Sequence, residues 1–164
     1  MKPNAIVYTS NTGYTKAYAK ILGEKTGLLV YDINEAKKTL KKCENIIYLG
    51  WLMASKIKDY GKVRNHYAIC AAIGVGLGDT GAQDAAVRKA NRISQDIPVF
   101  TVQGGMDYEK LKGIHRFMID MLRKMLSNKK DRTEEESAML TLINQGGNYV
   151  SETHLSAVLD WYQK

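Results

Sequence analysis

The sequence predicts an α/β protein built on an open, doubly wound, five-stranded parallel sheet, and three observations predict it. Strand and helix signals alternate along most of the chain. The strand segments are almost continuously apolar, as suits a parallel sheet covered on both faces rather than a half-wet antiparallel one. Polar or glycine-rich loops follow the strands, and in such sheets ligands sit outside the carboxyl ends of the strands near the topological switch point. The 164 residues, 45% of them hydrophobic, suffice for one core, so a single domain over 1–164 is expected.

The first strand is Ala5 to Thr9, β-branched and aromatic, and it runs into a polar loop from Ser10 to Gly13. A helix follows over Tyr14 to Lys25 and ends at Gly27. Leu28 to Tyr31 is the second strand, and a lysine-rich helical stretch leads to the third at Asn45 to Leu49. Tyr67 to Val75 is the fourth, Gln83 to Gln95 a helix, and Pro98 to Val102 the fifth strand. The loops to inspect are therefore Ser10 to Thr15, Gly50 to Lys56, Gly74 to Gly81 and Gln103 to Asp107. Beyond them, helical periodicity over Tyr108 to Leu126 and Glu134 to Ile143 interrupts the pattern before a last helix over Glu152 to Tyr162. Residues 107–147 read as a helical insertion on a fold already complete without it. No repeat or low-complexity tract is present.

Composition narrows the function classes. No apolar run approaches the roughly 20 residues of a bilayer span, and the opening MKPNAIVYTS lacks the apolar stretch of a signal peptide, so a cytoplasmic protein is expected. Cys43 and Cys70 have neither a C-x-x-C nor a metal-ligand spacing, and reduced, inert thiols are expected. His66, His115 and His154 are widely separated and read as exposed or capping residues rather than a metal site. The net charge of +7 favours anionic partners. Its denser groups, Lys37, Lys38, Lys41 and Lys42 and the run from Lys110 to Arg132, read as solvated helix faces, and no nucleic-acid motif accompanies them. No nucleophile–base pair is legible, so catalytic side chains are not assigned, and any redox chemistry belongs to a cofactor.

Ser10, Asn11, Thr12, Gly13, Tyr14 and Thr15 lie where a strand hands over to a helix, and there unpaired N–H groups and the helix dipole favour an anion. Hydroxyls at Ser10, Thr12 and Thr15 add uncharged donors, and Gly13 permits close wrapping round a phosphate. The loop is neither a Walker A motif nor a G-x-G-x-x-G, which points to a ligand with one terminal phosphate. A hydroxyl-rich helix cap with no ligand is the competing reading.

The run I-V-Y-T-S-N-T-G-Y-T-K-A-Y-A-K-I-L from Ile6 to Leu22 resembles the flavodoxin signature at every specified position. That resemblance covers Met1 to about Gly105 and implies a flavodoxin-like sheet of order 2-1-3-4-5, with FMN as cofactor. It places the FMN phosphate in Ser10 to Thr15 and the isoalloxazine between the loops that contain Gly50, Trp51, Leu52 and Met53 and Gly74, Val75, Gly76, Leu77 and Gly78. By the same resemblance Trp51 stacks on the ring, core packing being the alternative for this residue. Gly50 would allow the peptide flip toward reduced flavin. The second loop lacks the tyrosine usual in flavodoxins, so a two-sided aromatic sandwich has no second member.

Two further departures bear on function. Flavodoxins are usually acidic, whereas this chain is basic. The stretch GGMDYEKLKGIHRFMIDMLRKML resembles part of the flavodoxin-type, menaquinone-dependent protoporphyrinogen oxidases at Asp107, Tyr108, Arg116, Phe117, Met118, Ile119, Lys124 and Met125. The expected function is thus an FMN-binding redox protein, an electron carrier or small flavin oxidoreductase. The alternative is a protoporphyrinogen oxidase-like enzyme passing electrons to a quinone. A flavin-free receiver domain would need a phospho-acceptor Asp ending the third strand, where this chain has Leu49-Gly50.

Expected partners are a redox protein or a hydrophobic small-molecule acceptor, and no nucleic acid. In the helix of the insertion, Leu111, Ile114, Met118, Met121, Leu122 and Met125 share one face, expected to pack. Phe117, Ile119 and Leu126 lie off it among interspersed basic residues, which makes 108–132 a candidate peripheral membrane contact.

Overall fold

The computed structural model describes residues 2–164. Strand β1 (Ala5–Thr9) leads through Ser10–Gly13 into helix α1 (Tyr14–Thr26). There follow β2 (Leu29–Asp32), α2 (Ile33–Thr39), β3 (Asn45–Met53), β4 (Lys56–Ile57), the single turn α3 (Tyr60–Val63), β5 (Ala68–Gly76), α4 (Asp84–Asn91) and β6 (Val99–Gln103). The chain then runs through β7 (Gly105–Met106), a 3₁₀ turn at Tyr108–Lys110, α5 (Gly113–Asn128), α6 (Glu134–Gln145) and β8 (Gly147–Asn148), and closes with a 3₁₀ turn at Glu152–Leu155 and α7 (Ser156–Tyr162).

The main sheet has the order β2-β1-β3-β5-β6, parallel throughout, with β4 antiparallel to the end of β3. This is the expected α/β architecture and strand order. It follows from period-two burial on two faces at once. Ile46 and Tyr48 of β3, with Val7 and Ala72, face Ala36 of α2, Tyr60 and Val63 of α3 and Val87 of α4. Ile47 and Leu49, with Ile6, Ile73 and Val75, face Tyr18 and Leu22 of α1 and Leu155 and Val158 of α7. Each such fully buried side chain contributes about 1.5–3 kcal/mol of transfer free energy.

Helix ends follow local chemistry. Gly27 stops α1 in the left-handed region at φ +73°. Asp32 opens α2 with a capping box, its carboxylate accepting from Asn34 and Glu35 while Glu35 accepts from the Asp32 N–H. Thr133 and Glu136 repeat that arrangement at α6.

Several boundaries differ from the sequence expectation. The third strand does not end at Leu49. It continues to Met53 and folds back on β4, pairing Leu52 with Ile57 and Met53 with Lys56, across Ala54 and Ser55 at φ +47° and +62°. Two positive φ values are what a two-residue hairpin turn demands, although Ala and Ser are poor residues for it. Likewise β5 runs on to Gly76, so Gly74, Val75 and Gly76 are strand rather than loop.

The helix expected over Gln83 to Gln95 stops at Asn91 with Arg92 left-handed at φ +52°. The Asn91 amide is committed elsewhere, donating to Ser55 O (2.9 Å) and accepting from Ile57 N–H (3.0 Å), which ties the hairpin to α4. The helix expected from Tyr108 is broken at Leu111 and Lys112, which are extended at the start of α5.

Tyr48 is the second clamp on that hairpin. It is fully buried, its hydroxyl donates to Lys58 O (2.6 Å), and Thr9 Oγ1 lies 2.9 Å away. Burial pushes its phenol well above the usual value. The folded state therefore holds the neutral phenol; the stabilisation is complete below the unfolded-chain value near 10 and is lost as pH rises through the higher folded value. Tyr48→Phe is expected to cost about 1 kcal/mol at pH 8, with the deficit narrowing above about pH 10, as measured by urea unfolding across pH.

Candidate functional site

The carboxyl ends of β1, β3 and β5 open on one cavity of about 470 Å³, within the range of small-molecule sites. It is floored by Asn11, Thr12, Tyr14 and Thr15, walled by Trp51, Leu52, Met53, Ala54 and Ser55 of the hairpin, and walled again by Val75, Gly76, Leu77, Gly78 and Gln83. Gly105 and Met106 of β7, Leu111, four residues of α5 and Met139 of α6 complete the lining.

The loop before α1 is shaped by Gly13, whose φ of +102° glycine adopts at little cost and residues with a Cβ do not. A Cβ there would meet no atom within 4 Å, so the requirement is conformational rather than steric as expected. The Gly13 N–H donates to Ser10 Oγ (3.2 Å), and no side chain caps the first turn of α1. The first-turn N–H groups have no intrahelical partners, and with the helix dipole they form the kind of end that favours an anion.

Most candidate residues converge on the cavity, and four do not. Ser10 and Gly13 lie on the outer side of the loop, lining a shallow depression beside Lys16 and Asp32. Gly50 is inside β3, paired with Thr9 on one side and Gly74 on the other. A Cβ there would sit 2.5 Å from Ile57 Cγ2 and 2.9 Å from Lys58 O. Its peptide is held in the ladder and its lack of a side chain admits the β4 hairpin, which corrects the reading of Gly50 as a flipping loop peptide. Gly74 serves Leu52 in the same way, a Cβ falling 2.7 Å from Leu52 Cδ2.

Trp51 stands at the cavity wall with Lys58 Nζ 5.9 Å from its ring centroid. The loop after β5 is pinned to β6: Gln103 Nε2 donates to Leu77 O, Gly81 N–H to Thr101 O, and Gln103 N–H to Thr80 Oγ1. Tyr14 joins the loop before α1 to the later helices. Its hydroxyl donates to Gly147 O (3.3 Å), and its ring occupies the space left by Gly105, where a Cβ would lie 2.7 Å from Tyr14 Cε1 and 2.4 Å from Gly147 O. Burial, with Asp107 nearby, raises the Tyr14 phenol above its ordinary value.

Helix α5 supplies His115, Met118, Ile119 and Leu122 to the cavity wall, none of which was among the expected flavin-binding residues. His115 is neither exposed nor a cap. Its ring meets Trp51 edge-on at 4.9 Å and 89°, and its Nδ1 is buried with no hydrogen-bond partner, alone in this among the described residues. The packed face of α5 also differs from expectation. Ile119, Leu122 and Leu126 join Leu111, Met106, Leu142 and Ile143 in a small core, whereas Ile114, Phe117, Met121 and Met125 are 63%, 58%, 58% and 61% exposed. Tyr108 holds this arrangement: its hydroxyl meets Asp120 Oδ1 (2.7 Å) and accepts from Arg116 Nε (3.1 Å), while Arg116 and Arg123 lie over its ring.

An uncapped helix N-terminus at one end and apolar and aromatic walls beyond it fit a planar heteroaromatic ligand with a phosphate tail. No cluster of metal-ligating side chains exists among the described residues. The family model described as "Flavodoxin domain" matches residues 5–133, more than half of the chain. No curated protein and no solved structure matches the chain.

Proposed function

The chain belongs to the flavodoxin domain family, with the flavin binding and redox role that membership carries in general, and from that premise we propose that it is an FMN-dependent redox protein of the cytoplasm. The observation that carries this reading is the pairing of an uncapped α1 N-terminus with a cavity walled by Trp51 and the residues after β5. Asn11, Thr12, Tyr14 and Thr15 would hold the phosphate end, and Trp51, Met53, Leu77, Gly78 and the α5 wall the ring end. FMN supplies the electron-transfer chemistry when bound, and the protein binds it, orients it and excludes water.

In a phosphate-anchored site FMN binds at least tenfold more tightly than riboflavin, the difference being the charge-assisted hydrogen bonds to the phosphate. Gly13→Val, which cannot hold φ +102°, removes most of that advantage and leaves riboflavin binding little changed. Equal affinity of the wild-type protein for the two flavins, measured by fluorescence titration, would contradict the assignment.

The exposed side of α5 favours an apolar rather than a purely ionic partner. Ile114, Phe117, Met121 and Met125 form a stripe continuous with Met118 at the cavity wall, and the surrounding segment 107–133 carries eight Lys and Arg against four Asp and Glu. No helix among the described residues is long and apolar enough to cross a membrane. We infer that this stripe lies on an anionic bilayer surface, a setting that suits the narrower reading of a protoporphyrinogen oxidase-like enzyme with a quinone acceptor. Binding to vesicles is expected to require acidic lipid, to weaken with salt, and to fall in Phe117→Ser and Lys124→Glu while flavin content is unchanged. Absence of cosedimentation at low salt would remove the membrane contact and leave the flavin reading intact.

A further inference from the structure

We propose that the recess between α2 and the α3–β5 connection is a second ligand site, which binds a phosphate monoester through Lys37, His66 and the hydroxyl of Tyr67. The recess holds about 210 Å³ and is floored by Ile33 and Val63. Tyr67 directly precedes β5, so the recess lies toward the amino-terminal edge of the sheet, whereas the cavity beside Trp51 opens at the carboxyl ends of the strands. The two are separate sites, and this one stands or falls independently of flavin binding.

The polar groups around the recess are donors, and none is an acid. Lys37, Lys62, Asn65, His66 and Tyr67 line it, and no carboxylate does. Lys37 and His66 are exposed and form no salt bridge among the described residues, while Lys62 shares its charge with Asp59 at 3.2 Å. Lys38, Lys41 and Lys42 continue the exposed positive charge along the same segment. The lysine density that reads in the sequence as a solvated face therefore borders a concave surface with a field that attracts anions. The backbone beneath it is fixed. The His66 and Tyr67 N–H groups both donate to Val63 O (2.9 Å each), and His66 O accepts from the Cys43 N–H (2.7 Å).

Tyr67 is what makes this more than a charged surface. It is only 6% exposed, and its hydroxyl has no hydrogen-bond partner among the described residues. The hydroxyl is not sealed, because the one sealed side-chain polar atom without a partner among those residues is His115 Nδ1. It therefore keeps accessible surface, and the recess is the opening that Tyr67 lines. A largely buried hydroxyl without a protein partner is a donor that a ligand can use. Burial raises the phenol above its ordinary value, so at neutral pH it carries its proton and donates. Two neighbouring depressions also hold a buried tyrosine, Tyr60 or Tyr8, but a carboxylate lines each of them, Asp59 and Asp32 respectively. Those carboxylates repel an anion, and the recess at Tyr67 has none. An ammonium, an imidazole and a phenol suit the terminal oxygens of a phosphate monoester, which accept several charge-assisted hydrogen bonds at once.

The probe is glycerol 3-phosphate, and the readout is the NMR resonances of the His66 ring, which lies 6.3 Å from the Tyr67 ring. Saturable shifts at millimolar probe are expected. Tyr67→Phe keeps the packed ring and removes the hydroxyl; it and the exposed Lys37→Gln are each expected to weaken binding about tenfold. Lys20→Gln removes the same charge from α1, on the other face of the sheet, and is expected to leave binding unchanged. Vesicles of phosphatidylcholine with phosphatidic acid separate the two sources of a monoester. A response to glycerol 3-phosphate assigns the recess to a free small molecule, and Tyr67-dependent binding to the vesicles alone assigns it to a lipid headgroup. A response to neither overturns the proposal. Wild-type affinity in Tyr67→Phe also overturns it, as does an equal loss in Lys20→Gln, which would show attraction by net charge alone.

Discussion

The site depends on a narrow neck. Segment 107–146 leaves the sheet and returns to it through one two-residue ladder, in which Gly105 pairs with Asn148 and Met106 with Gly147. The approach at that ladder tolerates no side chain on Gly105, because Tyr14 and the Gly147 carbonyl already fill the space. Tyr14 in turn belongs to the first turn of α1, so the α1 end of the cavity and the root of the α5–α6 pair are one packed unit. The Gly104 N–H donates to Gly76 O and the Gly104 carbonyl accepts from Tyr149, which extends the same junction to β5. With the neck fixed, α5 has little choice but to lie along the open mouth of the sheet, where His115 reaches Trp51.

The opposite wall rests on a second constraint. The β3–β4 hairpin carries Trp51 to Ser55 beyond the parallel sheet, and it is held by Tyr48, by Asn91 and by the glycine at position 50. These contacts reach the hairpin from below, from α4 and from within β3, so Trp51 is presented on a rigid arm rather than a free loop. Such rigidity is what a ring-binding wall requires, since a stacking group gains little if it must first be ordered. The α5 wall has a different character. Its packed core is small and its outer side is exposed apolar surface, so it is the part of the site most able to adapt to a second molecule.

The sheet was legible in the sequence because buried parallel strands write themselves as apolar runs, and Ala5–Thr9 lies where the run places it. The loop from Ser10 to Thr15 was legible because strand-to-helix handover and hydroxyl-rich chemistry coincide there. The hairpin was not, since Ala54-Ser55 lacks the Asn-Gly or Asp-Gly pair that marks a two-residue turn, and so Gly50 read as loop rather than as a packing residue. The buried side of α5 was hidden for another reason. Apolar residues cover more than half its circumference, and periodicity cannot choose between the arc through Ile119, Leu122 and Leu126 and the arc through Ile114, Phe117 and Met121. Tertiary context, in the form of Met106, Leu142 and Ile143, makes the choice. His115 was missed with it, because a single histidine carries no signal until the face it occupies is known.

The proposed flavin site sets the isoalloxazine ring in the cavity beside Trp51. Trp51 and Trp161 are the two tryptophans of the chain, and Trp161, in α7, packs near Phe100. In a Trp161→Phe background the indole emission therefore reports Trp51 alone. Titration of that apoprotein with FMN is expected to quench the emission to saturation at one equivalent. Emission that stays constant while FMN binds would contradict the claim, because the ring would then lie away from Trp51.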